Sequence, residues 1–433
     1  MIELDCSPRI LTIGRTFEVS VKLPVGLAIT GKPRIFLQAF EGAAVDGAQE
    51  LPADCVKSGH GCLSLHLCLE REQEYLIRIC PRKAAGDEPL AAIRIYGVKA
   101  DIAGLRPFKG DFHMHSSRSD GKDLPVQVAV ACRRVGLDFM ALTDHGQYEP
   151  SLEVARPFAG LDLGLAMFPG EEVHPPGNPV HMINFGGRAS VNRLFGDPSY
   201  KSEVAAIAVK LGGFKNKARR LQYASCLWCY DKIRELGGLG IFCHPYWIYD
   251  GRFNVCEELI AHHFKDRPFN AFEVFGGYSV GEFEANTLQI ARYHEERMRD
   301  PNLPIVGTSD SHGCDTGYLF GWYYTIVFAS STRLADLCAA VCGLRSVAVA
   351  ALPGQPPQVV GPFRLVKLAL FLMREYMPAH DRLCADEARV MQDYLGGVGD
   401  STERLADCRE KNEAHHQRLW QDRTYSMKGD SKS

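Results

Sequence analysis

The rhythm of hydrophobic and polar positions changes twice along the chain. Up to about residue 105 it is short. "RTFEVSVKL" from Arg15, "PRIFLQAF" from Pro33, "CLSLHLCLE" from Cys62 and "YLIRI" from Tyr75 alternate or run with β-forming residues, with Gly and Pro between them. This predicts a small antiparallel sandwich over residues 1–105, a β-rich accessory domain with no evident chemistry; His60 and His66 read as ordinary sheet-edge or loop residues.

From about residue 106 short apolar runs alternate with helical segments. The runs are "FKGDFHM", "FMALTD", "LAMFPGEEV", "HMINFG", "LGIFCHP", "AFEVFG" and "PIVGTSD". After the first, Val128, Ala131, Cys132 and Val135 share one helical face, with Pro125 at its start and Gly136 at its end. Continuous apolar strands with helical crossovers imply parallel pairing with both faces covered. Repeated units of this kind suggest a closed or nearly closed α/β barrel over 106–351. The stretch from Arg188 to Ser225 is too long for a simple connection and reads as an inserted excursion.

Near residue 352 the rhythm changes again. "LPGQPPQVVGP" is a linker, Leu365, Leu368, Ala369, Leu372 and Tyr376 mark an amphipathic helix, and a second helix is expected near Asp386–Leu395. Residues 352–433 are thus a linker and C-terminal helical extension with a polar tail ending in "KGDSKS", and His415-His416 reads as solvent-facing.

Composition narrows the class. At 433 residues and 46% hydrophobic, the chain can bury two or three cores. A formal charge of −3 gives no general pull toward nucleic acid or an anionic membrane. The N-terminus lacks the pattern of a secretory signal, and no window is apolar enough to span a bilayer. The 15 cysteines are odd in number and scattered, as expected of thiols in a reducing cytoplasm. "CLWC" looks like half a zinc site, but Cys226, Cys229, Tyr230, Ile233 and Leu236 fall on one helical stripe, and no second CxxC completes such a site.

The candidate chemistry lies at the strand ends. His113, His115 and Asp120 follow the first strand, Asp144 and His145 end the second, and Glu171 and Glu172 end the third. His181 stands at the start of the fourth, His244 ends the fifth, and Asp310 and His312 end the seventh. In barrels, catalytic residues gather at the C-terminal strand ends. Imidazoles and carboxylates together suit Zn, Mn or Fe, and this many groups exceed the needs of one tetrahedral ion. Two or three divalent metal ions are expected.

The motif order "HMH", "SDG", "TDH", "GEEV", "HMINFG", "CHP", "SDSH" resembles that of the PHP (polymerase and histidinol phosphatase) metallohydrolases, over about 106–350. The resemblance implies a distorted seven-stranded (β/α)7 barrel. It implies that His113, His115, Glu172 and Asp310 hold one metal, that Glu172 bridges to a second held by His181 and His244, and that Asp120, His145 and His312 hold a third. "GEEV" aligns Glu172, not Glu171, with the family's ligand; Glu171 becomes an acceptor behind the ligands. Asp120 departs from members with histidine there, which weakens the third site or favours Mn or Fe. Asp144 either orients a neighbour or caps its strand, and His174 reads as a spare polar group.

The expected function is a metal-dependent hydrolase, with Asp310 as proton acceptor. A phosphoesterase acting on a small phosphate ester or a nucleotide is favoured. Carboxylic or carbamate ester hydrolysis is the alternative that the resemblance implies, since some two-domain members with a β-rich segment ahead of the barrel act on such esters. A metal-stabilised scaffold without turnover is the alternative of another class. Arg118 and the basic run Lys210–Arg220 are candidate contacts for a substrate anion. The partner expected is a small-molecule ester rather than a membrane, and the oligomeric state is open.

Overall fold

The computed structural model of the protein describes residues 4–23, 33–42, 47–59, 61–80, 90–277, 279, 281, 283–314 and 319–420; His60 and the "KGDSKS" terminus lie outside the described residues. The described residues fall into two units, one drawn from Met1–Leu105, Lys367–His380 and Glu410–Ser433, the other from Arg106–Val366 and Asp381–Arg409. The stretch after residue 352 therefore divides between them.

In the first unit, alternation builds two sheets. One orders Asp5–Ser7, Thr16–Lys22, Cys62–Cys68 and Val56–Gly59; the other orders Ile10–Thr12, Ala91–Val98, Glu74–Cys80, Arg34–Ala39 and Gln49–Glu50. All pairs are antiparallel except Ile10–Thr12 with Ala91–Val98. Along Thr16–Lys22 every second residue is buried, and Val19, Val21, Leu63 and Leu65 share one apolar core with Ile77, Ile79, Ile93 and Ile95 of the other sheet. Burying those inward faces is what favours the pairing. Tyr376 is buried as its periodicity predicts. His416 is buried too, against the expectation of a solvent-facing pair: its Nδ1 lies 2.5 Å from the Tyr376 hydroxyl.

The second unit is mixed α/β. Its six-stranded sheet orders Ala166–Phe168, Phe139–Ala141, Arg106–Asp111, Tyr323–Ala329, Ser346–Ala350 and Gln358–Val360. Its five-stranded sheet orders Gly170–Val173, Met182–Phe185, Leu239–Phe242, Ala271–Phe275 and Ile305–Gly307. Among the described residues the sheets form no closed barrel, and pairing is not uniformly parallel. Gly170–Val173, Met182–Phe185 and Leu239–Phe242 run antiparallel in turn, as do the last three strands of the larger sheet. The connection from Val173 to Met182 is shorter than the dozen or so residues a parallel crossover needs, so the chain folds back on itself. The third expected strand is split at Pro169, which has no N–H to continue a ladder, and its halves join different sheets.

Isolated bridges link the two sheets where the motifs lie, Met114 to Ser311 and His145 to Glu172. Phe108, Phe139 and Val327 of one sheet pack with Ile183, Ile241 and Val306 of the other in one core. The "CLWC" residues are, as expected, on the buried side of a helix, Lys217–Glu235. Among the described residues no helix is long and apolar enough to cross a membrane.

Candidate metal centre

Strand alternation decides what the two adjacent glutamates do, because neighbours on a strand face opposite ways. Glu171 turns into a polar loop, where it accepts hydrogen bonds from Asn184 Nδ2 at 3.1 Å, Ser190 Oγ at 2.6 Å, Val191 N at 2.5 Å and Asn192 Nδ2 at 2.9 Å. Glu172 turns into a ring of histidines. Its Oε2 lies 2.5 Å from His145 Nδ1 and 3.2 Å from His174 Nε2, and its Oε1 lies 2.9 Å from His181 Nδ1 and 3.2 Å from His244 Nε2. His113 and His115 approach Oε2 at 3.7 Å.

Asp310 is the second node. Its Oδ1 is 3.1 Å from His113 Nε2 and 2.9 Å from His115 Nε2, and those two nitrogens are 3.1 Å apart. Asp120 forms a third, outer group, 3.3 Å from His145 Nε2 and 3.3 Å from His312 Nε2. All nine residues singled out from the motifs thus converge on one region.

The supporting side chains fix this arrangement. Asp144 accepts from Ser116 N and Oγ and from Ser119 N and Oγ, and so shapes the loop that carries Asp120. Gly121 closes that loop; a Cβ there would lie 2.7 Å from the His115 carbonyl oxygen. Asp111 accepts from His113 N and Ser309 Oγ, tying the first and seventh strand ends together. His244 and Asp310 have left-handed φ values of +23° and +47°. Such strain costs on the order of 1–3 kcal/mol per residue and clusters at functional sites.

Glu273, not anticipated from the sequence, lies behind His113. Its Oε2 is 3.1 Å from His113 Nδ1 and accepts from Thr308 Oγ1 at 2.6 Å, while Oε1 accepts from His244 N at 3.0 Å. A carboxylate only accepts, so it fixes Nδ1 of His113 as the N–H and aims Nε2 at the cluster. A charged residue inside the apolar strand "AFEVF" is the signal that marks it. His174, read as spare, belongs to the cluster. It lies just past the strand Gly170–Val173, with its Nε2 3.2 Å from Glu172 Oε2 and its ring stacked on His181 at 3.8 Å.

Arg118 and the basic run stand elsewhere. Arg118 forks onto Glu153, at 2.9 and 2.5 Å, because a planar guanidinium and a carboxylate match two bonds at once. Arg219 pairs with Glu258 at 2.8 Å. Neither Arg118 nor any residue of Lys210–Arg220 lines the cavity over the cluster. That cavity, of 480 Å³, is lined by Asp120, His145, His174, His181, His244, Asp310 and His312, with Lys122, Trp247, Tyr249 and Gly277 at its walls.

Burial and close pairing together set the charges of these groups. Burial opposes the charge on Glu172, yet His145, His181, His174 and His113 outweigh it and hold the carboxyl well below its usual range. Burial likewise opposes charge on Asp310, and His113, His115 and His244 outweigh it in the same direction. Burial pulls His115 down to about 3 and His181 to about 4, against nearby carboxylates. At His145 the balance reverses: Glu172 and Asp120 overcome burial and push it up to about 10.

The donor set fits divalent metals. Glu172 Oε2 and His181 Nδ1 are buried in close contact with partners, yet neither makes a hydrogen bond of acceptable geometry, and His115 Nδ1 and His244 Nδ1 are also unpartnered. Groups such as His113–His115–Glu172, His145–Glu172–His174 and His115–Asp120–His145–His312 each bring ligand atoms within 4.8 Å of one another.

No protein-family profile matches the chain. A segment of 56 residues, 13% of the chain, is 41% identical to part of the DNA polymerase/3'-5' exonuclease PolX of Bacillus subtilis (strain 168), of whose length the match spans 10%. Among solved structures, a two-domain protein from Bacteroides vulgatus, described as containing a predicted PHP-like metal-dependent phosphoesterase, aligns with TM-score 0.38 and 22% identity over 57% of this chain and 65% of that one. A putative metal-dependent phosphoesterase from Bifidobacterium adolescentis gives 0.31 and 16%, and an amidohydrolase from Chromobacterium violaceum 0.30 and 19%; each match covers 48% of this chain and 89% of the other. In its motif order this chain resembles the PHP family.

Proposed function

We propose that this chain is a PHP-type metal-dependent hydrolase that cleaves a small phosphate ester. The observation that carries the reading is the convergence of His145, His174, His181 and His244 on the buried Glu172, beside Asp310 between His113 and His115, at close distances, with Glu172 Oε2 and His181 Nδ1 left without a hydrogen bond. His113, His115, Glu172 and Asp310 would hold one ion, Glu172, His181 and His244 a second, and Asp120, His145 and His312 a third. Bound there, divalent Mn, Fe or Zn supplies Lewis acidity toward the ester oxygens and lowers the pKa of water.

The chain's own residues do the rest. Glu273 and Asp144 orient His113 and the Asp120 loop. Asp310 both touches His113 and His115 and lines the cavity, so it is placed to take a proton from the attacking water. Lys122 at the wall favours an anionic substrate. Three ligand carboxylates against two or three divalent ions leave a positive floor, which suits a phosphoryl dianion better than a neutral carbonyl. The bridges at Met114–Ser311 and His145–Glu172 support reading the two sheets as one distorted seven-stranded barrel.

The test compares kcat/KM for aryl phosphate, aryl phosphodiester, and aryl carboxylic and carbamate esters with metal-reconstituted wild type and Asp310→Ala. A phosphate preference lost in Asp310→Ala is expected. A carboxylic or carbamate preference of ~100-fold, about 2.7 kcal/mol, lost in the same variant, would keep the centre and overturn the substrate class.

A further inference from the structure

Directly after His244 the chain turns into a short hairpin. Ile248–Tyr249 pairs antiparallel with Arg252–Phe253 around Asp250 and Gly251, whose φ values of +49° and +70° suit a tight two-residue turn. The root of the hairpin is fixed: Trp247 N donates to His244 O at 3.1 Å and Asn254 N to Trp247 O at 3.1 Å. Arg292 Nε donates to the Tyr246 hydroxyl at 2.9 Å.

Trp247 and Tyr249, two residues apart, both line the cavity, with ring centroids 5.8 Å apart. Trp247 lies 5.4 Å from the His181 ring and 6.1 Å from the His244 ring. Its indole Nε1 is buried with no hydrogen-bond partner, although buried tryptophans ordinarily find one. Tyr249 is 65% exposed, so packing of the core does not account for an aromatic residue there. Arg252 stands directly across from Tyr249 and shares its face of the hairpin. The cavity volume of 480 Å³ is that of a small-molecule site.

We propose that this wall is the subsite for the organic group of the substrate, and that this group is a planar aromatic ring held against Trp247 and Tyr249. The proposal rests on the hydrolase reading above and narrows its substrate class. The ring faces offer stacking, the unpartnered indole N–H offers a donor to a ring heteroatom or substituent, and the histidine cluster beside Trp247 receives the ester. An aliphatic group would meet the same wall without the stacking.

The test measures, by calorimetry on the metal-reconstituted full chain, the Kd of phenylphosphonate and of methylphosphonate, neither of which is hydrolysed. Wild type is expected to bind the phenyl compound about 10-fold more tightly. Tyr249→Ala and Trp247→Ala should each shrink that ratio to about 2-fold or less, and Tyr249→Phe should retain it. Because the readout is a ratio, a loss common to both ligands cancels, and the exposed Tyr249 makes a misfolded variant an improbable outcome. A ratio near one in wild type, or one unchanged in both alanine variants, overturns the subsite. If methylphosphonate binds as well as phenylphosphonate, the hydrolase reading stands and the subsite falls. If neither binds, the phosphoester reading falls and the subsite with it.

Discussion

Two buried charge networks in the second unit differ in a way that separates structure from chemistry. In one, Arg133, Glu387 and Asp138 are almost fully buried and their charged groups have fitted partners. Arg133 Nε reaches Glu387 Oε2 at 2.8 Å, its Nη1 reaches Asp138 Oδ1 at 3.2 Å, and Gly164 N donates to Glu387 Oε1 at 2.6 Å. Lys109 N donates to Asp138 Oδ2 at 3.0 Å. Donors meet acceptors, and the network is complete. In the other, the groups around Glu172 and Asp310 are nitrogens and oxygens with lone pairs aimed at a common space. Equal burial thus accompanies opposite logic: the first network is satisfied by its own members, the second gathers donor atoms of the kind that ligate divalent cations.

The largest effect that would sharpen this contrast is on stability. Glu387→Ala should strip the buried Arg133 guanidinium of its nearer carboxylate and leave it only Asp138, at a cost of about 3 kcal/mol in urea unfolding, without loss of bound metal. If metal content fell with it, the two networks would not be separable.

Next comes the centre itself. Glu172→Ala removes the carboxylate shared by the clustered histidines and should lower kcat/KM by ~100-fold or more. Glu171→Ala, one residue away, should act through stability instead, by about 1–3 kcal/mol, because it takes the acceptor from Ser190 Oγ and Val191 N. Equal activity losses with unchanged stability in both variants would reverse the assignment of the pair.

Glu273→Gln tests orientation. An amide in that place can present its N–H to His113 Nδ1 and reverse the tautomer, so a loss of about 10-fold in metal affinity is expected from titration with a competing chelator. Unchanged affinity would make Glu273 merely a strand-end anchor for Thr308 and His244.

These predictions rest unequally on the sequence. The clustered residues were legible because histidine and carboxylate recur at successive strand ends in one motif order. Glu273 was not, because a lone carboxylate in an apolar strand has no spacing partner to give it a role. His174 carried a signal that was passed over, its two-residue offset from Glu172. Pairing direction was illegible since apolar runs record burial, not orientation: Met182–Phe185 reads the same whether parallel or antiparallel. The strand Tyr323–Ala329 escaped the reading for lack of any chemistry at its end. Arg118 looked free because its partner, Glu153, lies far along the chain, on a short helix.

A further effect is a pH dependence of the metal-free protein. His145 is raised to about 10 by Glu172 and Asp120 acting against burial, from an unfolded value near 6.5. A raised histidine contributes stability that is fully present below about pH 6.5 and is lost as pH climbs toward 10. Thermal unfolding of chelator-stripped protein should therefore weaken across that window, and His145→Ala should flatten the trend. The same proton must leave before His145 can ligate, so metal affinity should rise with pH.

The most direct measurement is the metal content of the purified chain after chelation, reconstitution with Mn, Fe or Zn and desalting, by elemental mass spectrometry. Two to three divalent ions per chain are expected, with at least one fewer in Glu172→Ala and no change in Glu387→Ala. Less than one ion per wild-type chain would contradict the account of the Glu172 centre.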